Sequence, residues 1–82
     1  MKPLIEEAVS HWSAAFRAGR IEECKALAQQ LVKDQPDAGK AWQLLGMSCF
    51  AHGDLAGALA HLRHAAALDQ DDSSIWDNLG IV

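Results

Sequence analysis

A pair of histidines comes nearest to a reactive or metal-binding arrangement in this 82-residue chain. His61 and His64 stand three residues apart, so a helix would present both imidazoles on one face, where they could bind a divalent metal ion. No cysteine or carboxylate joins them locally. We therefore interpret them as solvated residues on the outward face of a helix, and we expect neither a metal ion nor a cofactor.

The two cysteines and the missing catalytic motifs argue against an enzyme. Cys24 and Cys49 lie inside helical patterns and have no C-x-x-C spacing, so they are interpreted as small core residues in a reducing compartment. The chain has no glycine-rich phosphate loop, no H-E-x-x-H and no G-x-S-x-G. We expect no catalytic residue in this sequence.

Charge and hydropathy narrow the class of partner. Tryptophans could stack on nucleic-acid bases, but no basic patch accompanies the three in this chain, and the formal net charge is −4. Affinity for nucleic acid or for an anionic membrane is therefore not expected.

The N-terminus lacks the apolar run of a signal peptide, and no stretch is long enough to span a bilayer, which predicts a cytoplasmic protein.

The elements that would position these residues repeat along the chain. Several residues recur at an offset of 34 positions, and a fixed offset of this size is typical of a repeat architecture. The matching pairs are Gly19 and Gly53, Trp42 and Trp76, Leu45 and Leu79, and Gly46 and Gly80.

Local patterns predict that each repeat is a helix–turn–helix unit. Apolar residues recur at helical spacing, and β-alternation is absent. Gly19 and Gly53 are placed to end helices in left-handed caps, Pro36 should stop a helix, and Asp37 and Asp54 are candidate N-caps. The fold class is therefore all-α, an α-hairpin solenoid of five antiparallel neighbouring helices over 4–18, 21–34, 38–52, 55–68 and 73–82.

The pattern Trp42-x-x-Leu45-Gly46, followed by Gly53-Asp54, Ala58, Leu62 and Ala65, resembles the tetratricopeptide repeat. The resemblance divides a single domain into repeats 5–38 and 39–72 and a partial repeat 73–82. It implies that Gly46 is small because the second helix of its hairpin crosses there, next to Ala58. It also implies that Trp42 packs between neighbouring helices. The first repeat departs from the family, with Ala8, His11 and Trp12 at the positions of Trp42, Leu45 and Gly46.

In this family the first helix of every repeat lines a concave groove that binds a peptide or a partner helix. Leu44, Met47 and Phe50 would form its apolar floor, which suits an amphipathic helix. Substitutions at these three positions are expected to weaken binding without unfolding the domain. The groove residues carried over by position are Val9, Ser13, Phe16, Arg17, Lys40, Gln43, Leu44, Met47, Phe50, Asp77 and Asn78.

The last predicted helix carries apolar side chains that no later helix of this sequence covers. A protein–protein interaction module that also self-associates, as a two-fold dimer, is one expectation. The alternative is an N-terminal targeting segment of a larger enzyme, such as an O-linked glycosyltransferase. The residues expected to be uncovered include Ile75, and those assigned to self-association are Trp76, Leu79, Ile81 and Val82.

Overall fold

The computed structural model describes residues 5–81, and the side chains of residues 5–80. Helices and short turns account for this part of the chain, and it contains no strand, which confirms the all-α prediction. The predicted bounds of the second and fourth helices agree with the structure at both ends. The five helices are α1 (Ile5–Arg17), α2 (Ile21–Asp34), α3 (Gly39–Ala51), α4 (Leu55–Leu68) and α5 (Ser73–Ile81).

Glycine allows the sharp turn inside each hairpin. Gly19 has φ 76° and Gly53 has φ 88°, the left-handed region that a side chain disfavours. The next amide bonds back across each turn, from Arg20 N to Ala15 O and from Asp54 N to Cys49 O, both at 2.9 Å. These six-to-one bonds confirm the predicted left-handed helix ends.

The two predicted N-caps have different outcomes. Asp54 accepts a hydrogen bond from Gly57 N at 2.9 Å and caps α4 as expected. The prediction for Asp37 is wrong. The helix α3 begins one residue later than Asp37 would require, so its N-cap is Ala38, whose side chain makes no capping hydrogen bond.

The 34-residue offset extends to individual backbone bonds. The bond from Gln35 N to Leu31 O measures 2.8 Å, and its counterpart from Asp69 N to Ala65 O measures 2.9 Å. An offset shared by side chains and by turn geometry means that each hairpin repeats one local structure.

A glycine and a leucine set the approach of the helices in the second hairpin. A methyl group built on Gly46 would lie 2.7 Å from Leu62 Cγ and 3.2 Å from the carbonyl oxygen of Ala58. The expectation that Gly46 is small because α4 crosses there is therefore confirmed. In the first hairpin the sizes are exchanged, since Trp12 stands at the position of Gly46 and Ala28 at that of Leu62, and both are buried.

The two cysteines are core residues, as predicted. Cys24 and Cys49 are free thiols with almost no exposed surface. Burial raises the pKa of both thiols, which keeps them protonated and unreactive at neutral pH. In the described part of the chain, no helix combines the length and the hydropathy needed to cross a membrane.

Candidate functional site

The first helices of the repeats, α1, α3 and α5, stand side by side. Trp12 Nε1 on α1 donates to Ser48 Oγ on α3 at 2.8 Å, and that hydroxyl donates to the Leu44 carbonyl at 2.8 Å. The candidate groove residues follow this layer and differ in exposure, and their role in binding stays a prediction. Half-buried are Val9, Ser13, Phe16, Lys40, Met47, Phe50 and Asn78, and exposed are Arg17 and Asp77.

Leu44 and Gln43 are buried, which corrects their assignment to an accessible groove. Leu44 is only 6% exposed and belongs to the core, so Leu44→Glu would unfold the domain rather than test binding. Gln43 donates to Ser74 Oγ at 3.1 Å and to Asn78 Oδ1 at 2.6 Å, and it accepts from Lys40 Nζ at 2.6 Å. We call this contact between α3 and α5 the polar seam; it holds α5 in place.

The histidine pair is part of an aromatic cluster on the other side of α3. The His64 ring lies 4.4 Å from the Trp42 ring, edge to face, and the His61 ring lies 5.6 Å from it. Trp42 is half-buried, packs against both core clusters and donates from Nε1 to Pro36 O at 2.8 Å. His61 is half-buried beside the Trp42 ring, so its interpretation as a fully solvated residue is wrong, whereas His64 is exposed, as predicted.

The covered histidine predicts a pH dependence of stability. Desolvation by burial lowers the pKa of His61, and His64 and Lys25 lower it further, although Asp54 opposes them. The unfolded chain therefore binds a proton at His61 more readily than the folded chain does. The contribution of neutral His61 to the free energy of unfolding is present above about pH 6.5 and is lost as the pH falls below it.

We expect the melting temperature to fall between about pH 8 and pH 5, and to fall less in His61→Gln. His11→Gln removes an exposed histidine and is the matched control. Thermal unfolding followed by circular dichroism measures all three proteins. A drop of the same size in the wild type and in His61→Gln would contradict the assignment.

Trp76 repeats the geometry of Trp42 without its cover. Its Nε1 donates to Gln70 O at 3.0 Å, the counterpart of the bond from Trp42 to Pro36. Yet Trp76 is 52% exposed. Ile75 is fully buried, which corrects the expectation that it is uncovered. The side chain of Ile81 and all of Val82 lie outside the described residues.

A groove between α4 and α5 runs along Trp76. It is lined by Arg63, Ala66, Ala67, Gln70, Trp76 and Leu79. A second groove, under Trp42, is lined by Gln29, Val32, Lys33, Trp42, Leu45 and His61. Five lining positions of the groove along Trp76 lie 34 residues after lining positions of the groove under Trp42. The groove under Trp42 is also lined by His61 of α4, and no described helix takes the equivalent place beside Trp76.

Gly80 completes this uncovered surface, although it is not among the residues that the sequence predicts for self-association. It is the counterpart of Gly46, where α4 packs closely on α3. A methyl group at Gly80 would meet no atom of the described residues within 4 Å. We call Trp76, Leu79 and Gly80 the open α5 face. The offset that pairs Gly80 with Gly46 is the signal that could have found it.

The family model for the tetratricopeptide repeat matches residues 39–82, which is more than half of the chain. Searches of curated proteins and of solved structures give no match.

Proposed function

This chain belongs to the tetratricopeptide repeat family, and we propose that it is a protein-interaction module that binds an α-helix of a partner protein on the open α5 face. Members of the family generally bind proteins. The exposure of Trp76, in a position where its counterpart Trp42 is covered by a helix, is the observation that carries the proposal.

The cover on Trp42 supports a helix as the occupant. His61 and His64 reach its ring from one face of α4. A partner helix that offers two side chains three residues apart could cover the Trp76 ring in the same way. Large aromatic side chains with one wet edge are common anchors in protein interfaces.

The small residue beside Trp76 supports close approach of that helix. Leu62 occupies the space that a side chain at Gly46 would need. Gly80 leaves the equivalent space open, so it can receive a leucine of the partner. The partner we propose is therefore an amphipathic helix with leucine opposite Gly80 and a small residue, equivalent to Ala58, one turn before it.

A peptide with the sequence of α4 is the probe that fits these requirements. We expect a capped peptide of residues 54–69 to bind the 82-residue chain with a Kd of about 10–500 µM, weakened by the cost of ordering a short helix. Titration is followed by the NMR signal of the Trp76 indole N–H. Gly80→Leu should weaken binding by at least about tenfold, because leucine fills the space that the peptide needs.

Leu55→Ala is the matched control, because Leu55 is also exposed but lies at the far end of α4. Leu55→Ala in the 82-residue chain should leave the affinity for the peptide unchanged. A peptide in which aspartate replaces the leucine that corresponds to Leu62 should not bind. An unshifted Trp76 signal, or equal affinity in Gly80→Leu, would contradict the proposal.

A second copy of the chain is the competing occupant of the same face. Sedimentation equilibrium distinguishes it, because a dimer that Trp76→Lys dissociates would place self-association on the open α5 face. A monomer at every concentration, together with binding of the probe, supports a partner of different sequence.

A further inference from the structure

A pocket of about 250 Å³ opens between α1 and α2, far along the chain from the open α5 face. Leu31 is buried at its base, Ala8 and Leu27 are half-buried, and the polar side chains of the rim are exposed except that of Asp34, which is half-buried. Its lining residues are Glu7, Ala8, His11, Leu27, Gln30, Leu31 and Asp34.

This pocket stands where the second hairpin holds its tryptophan. Ala8 is the counterpart of Trp42 at the 34-residue offset. Leu27 and Gln30 are the counterparts of His61 and His64, the two side chains against the Trp42 ring. The first hairpin thus keeps the walls of an indole site and lacks the indole.

From this correspondence we infer that the pocket binds an aromatic side chain of a partner protein, with a lysine or arginine next to it in the partner's sequence. The size is sufficient, because an apolar cavity of about 150 Å³ is enough to bind benzene. The walls suit a ring, since the leucine and alanine side chains offer apolar contact and Gln30 replaces an imidazole at the edge.

The carboxylates at the rim of the pocket favour a positive charge on the partner residue that follows the bound aromatic side chain. Glu7 and Asp34 are carboxylates that line the pocket, and Gln30 Nε2 donates to Asp34 Oδ1 at 3.1 Å, which orients that group. Of the described residues that line the pocket, none is a lysine or an arginine. A cation beside the bound ring would therefore be attracted, whereas Trp76 of a second copy would bring the carboxylate of Asp77 and be repelled.

The test uses a short peptide rather than an unknown partner. Acetyl-Gly-Trp-Lys-Gly-amide is titrated into the 82-residue chain, and the NMR signals of Ala8, Leu27 and Leu31 are followed. We expect saturable shifts at these residues with a Kd of about 1 mM, and we expect added salt to weaken the binding. Peptides with leucine in place of tryptophan, or glutamate in place of lysine, should bind at least about threefold more weakly.

Filling the pocket is the decisive variant. Ala8→Trp should abolish the saturable shifts and raise the melting temperature, and Ala8→Leu should do both to a smaller extent. Ala14→Trp adds the same ring at an exposed position of α1 and is the control, with binding retained. Shifts that persist in Ala8→Trp, equal binding of the leucine peptide, or shifts confined to the open α5 face would overturn the inference. The result does not depend on the proposed partner helix, because the two sites share no residue.

Discussion

Trp12→Ala should remove about 3–5 kcal/mol from the free energy of unfolding. Trp12 is 8% exposed, stacks on Phe16 with ring centroids 4.8 Å apart and donates its indole hydrogen to Ser48 on α3. A chain of this length has roughly 4–12 kcal/mol of stability in total. The melting temperature should therefore fall by about 12 °C or more, as measured by circular dichroism.

Trp76→Ala is the matched control for this prediction, because it removes the same ring from an exposed position. It should change the free energy of unfolding by less than about 1 kcal/mol. Trp12→Phe should fall between the two, since it keeps a ring and loses the bond to Ser48. Equal stability of Trp12→Ala and Trp76→Ala would show that Trp12 does not connect α1 to α3.

Gly46→Leu should destabilise the chain by about 3 kcal/mol, because overpacking a filled core forces side chains and backbone apart. The new side chain would meet Leu62 and the backbone of Ala58, and neither can withdraw without separating α3 from α4. Urea unfolding measures the loss, and Leu62→Ala added to Gly46→Leu should recover part of it by making room.

Gly80→Leu places the same residue at the same repeat position on α5. Since no atom of the described residues lies near it, the variant should be as stable as the wild type, or more stable by up to about 1 kcal/mol from helix propensity. A comparable loss at both glycines would mean that Gly80 is already covered, and the open α5 face would then be misassigned.

The fold could be predicted from the sequence because its determinants are local or repeat at a fixed offset. Gly19 and Gly53 need a left-handed backbone whatever surrounds them, and the resemblance to the family implies the helix crossing at Gly46. The helix bounds follow from the same glycines and from Asp54, whose side chain bonds an amide three residues away.

The sites were less predictable because they depend on neighbours that one helix does not specify. Helical spacing gives the direction in which His61 points, but the reach of Trp42 from another helix decides whether solvent remains there. Leu44 and Met47 are one turn apart on α3, yet α1, α2, α4 and α5 all pack around that helix and bury only Leu44. Ala8 departs from the family pattern in the sequence itself, but the pocket beside it is formed by residues of α2 that the spacing along α1 does not specify.

The polar seam selects one alignment of α5 against all others. The amide of Gln43 is fully used, with two acceptors on α5 and one donor from Lys40. If α5 slid by one residue along α3, this buried amide would lose its two acceptors on α5, at a cost of about 1–3 kcal/mol. The counterpart of Gln43 on α1 is Val9, and an apolar contact penalises sliding far less. The polar seam thus determines the position of α5 along α3. It fixes where Trp76 and Gly80 lie relative to α4, and therefore the spacing of side chains that any docking helix must match.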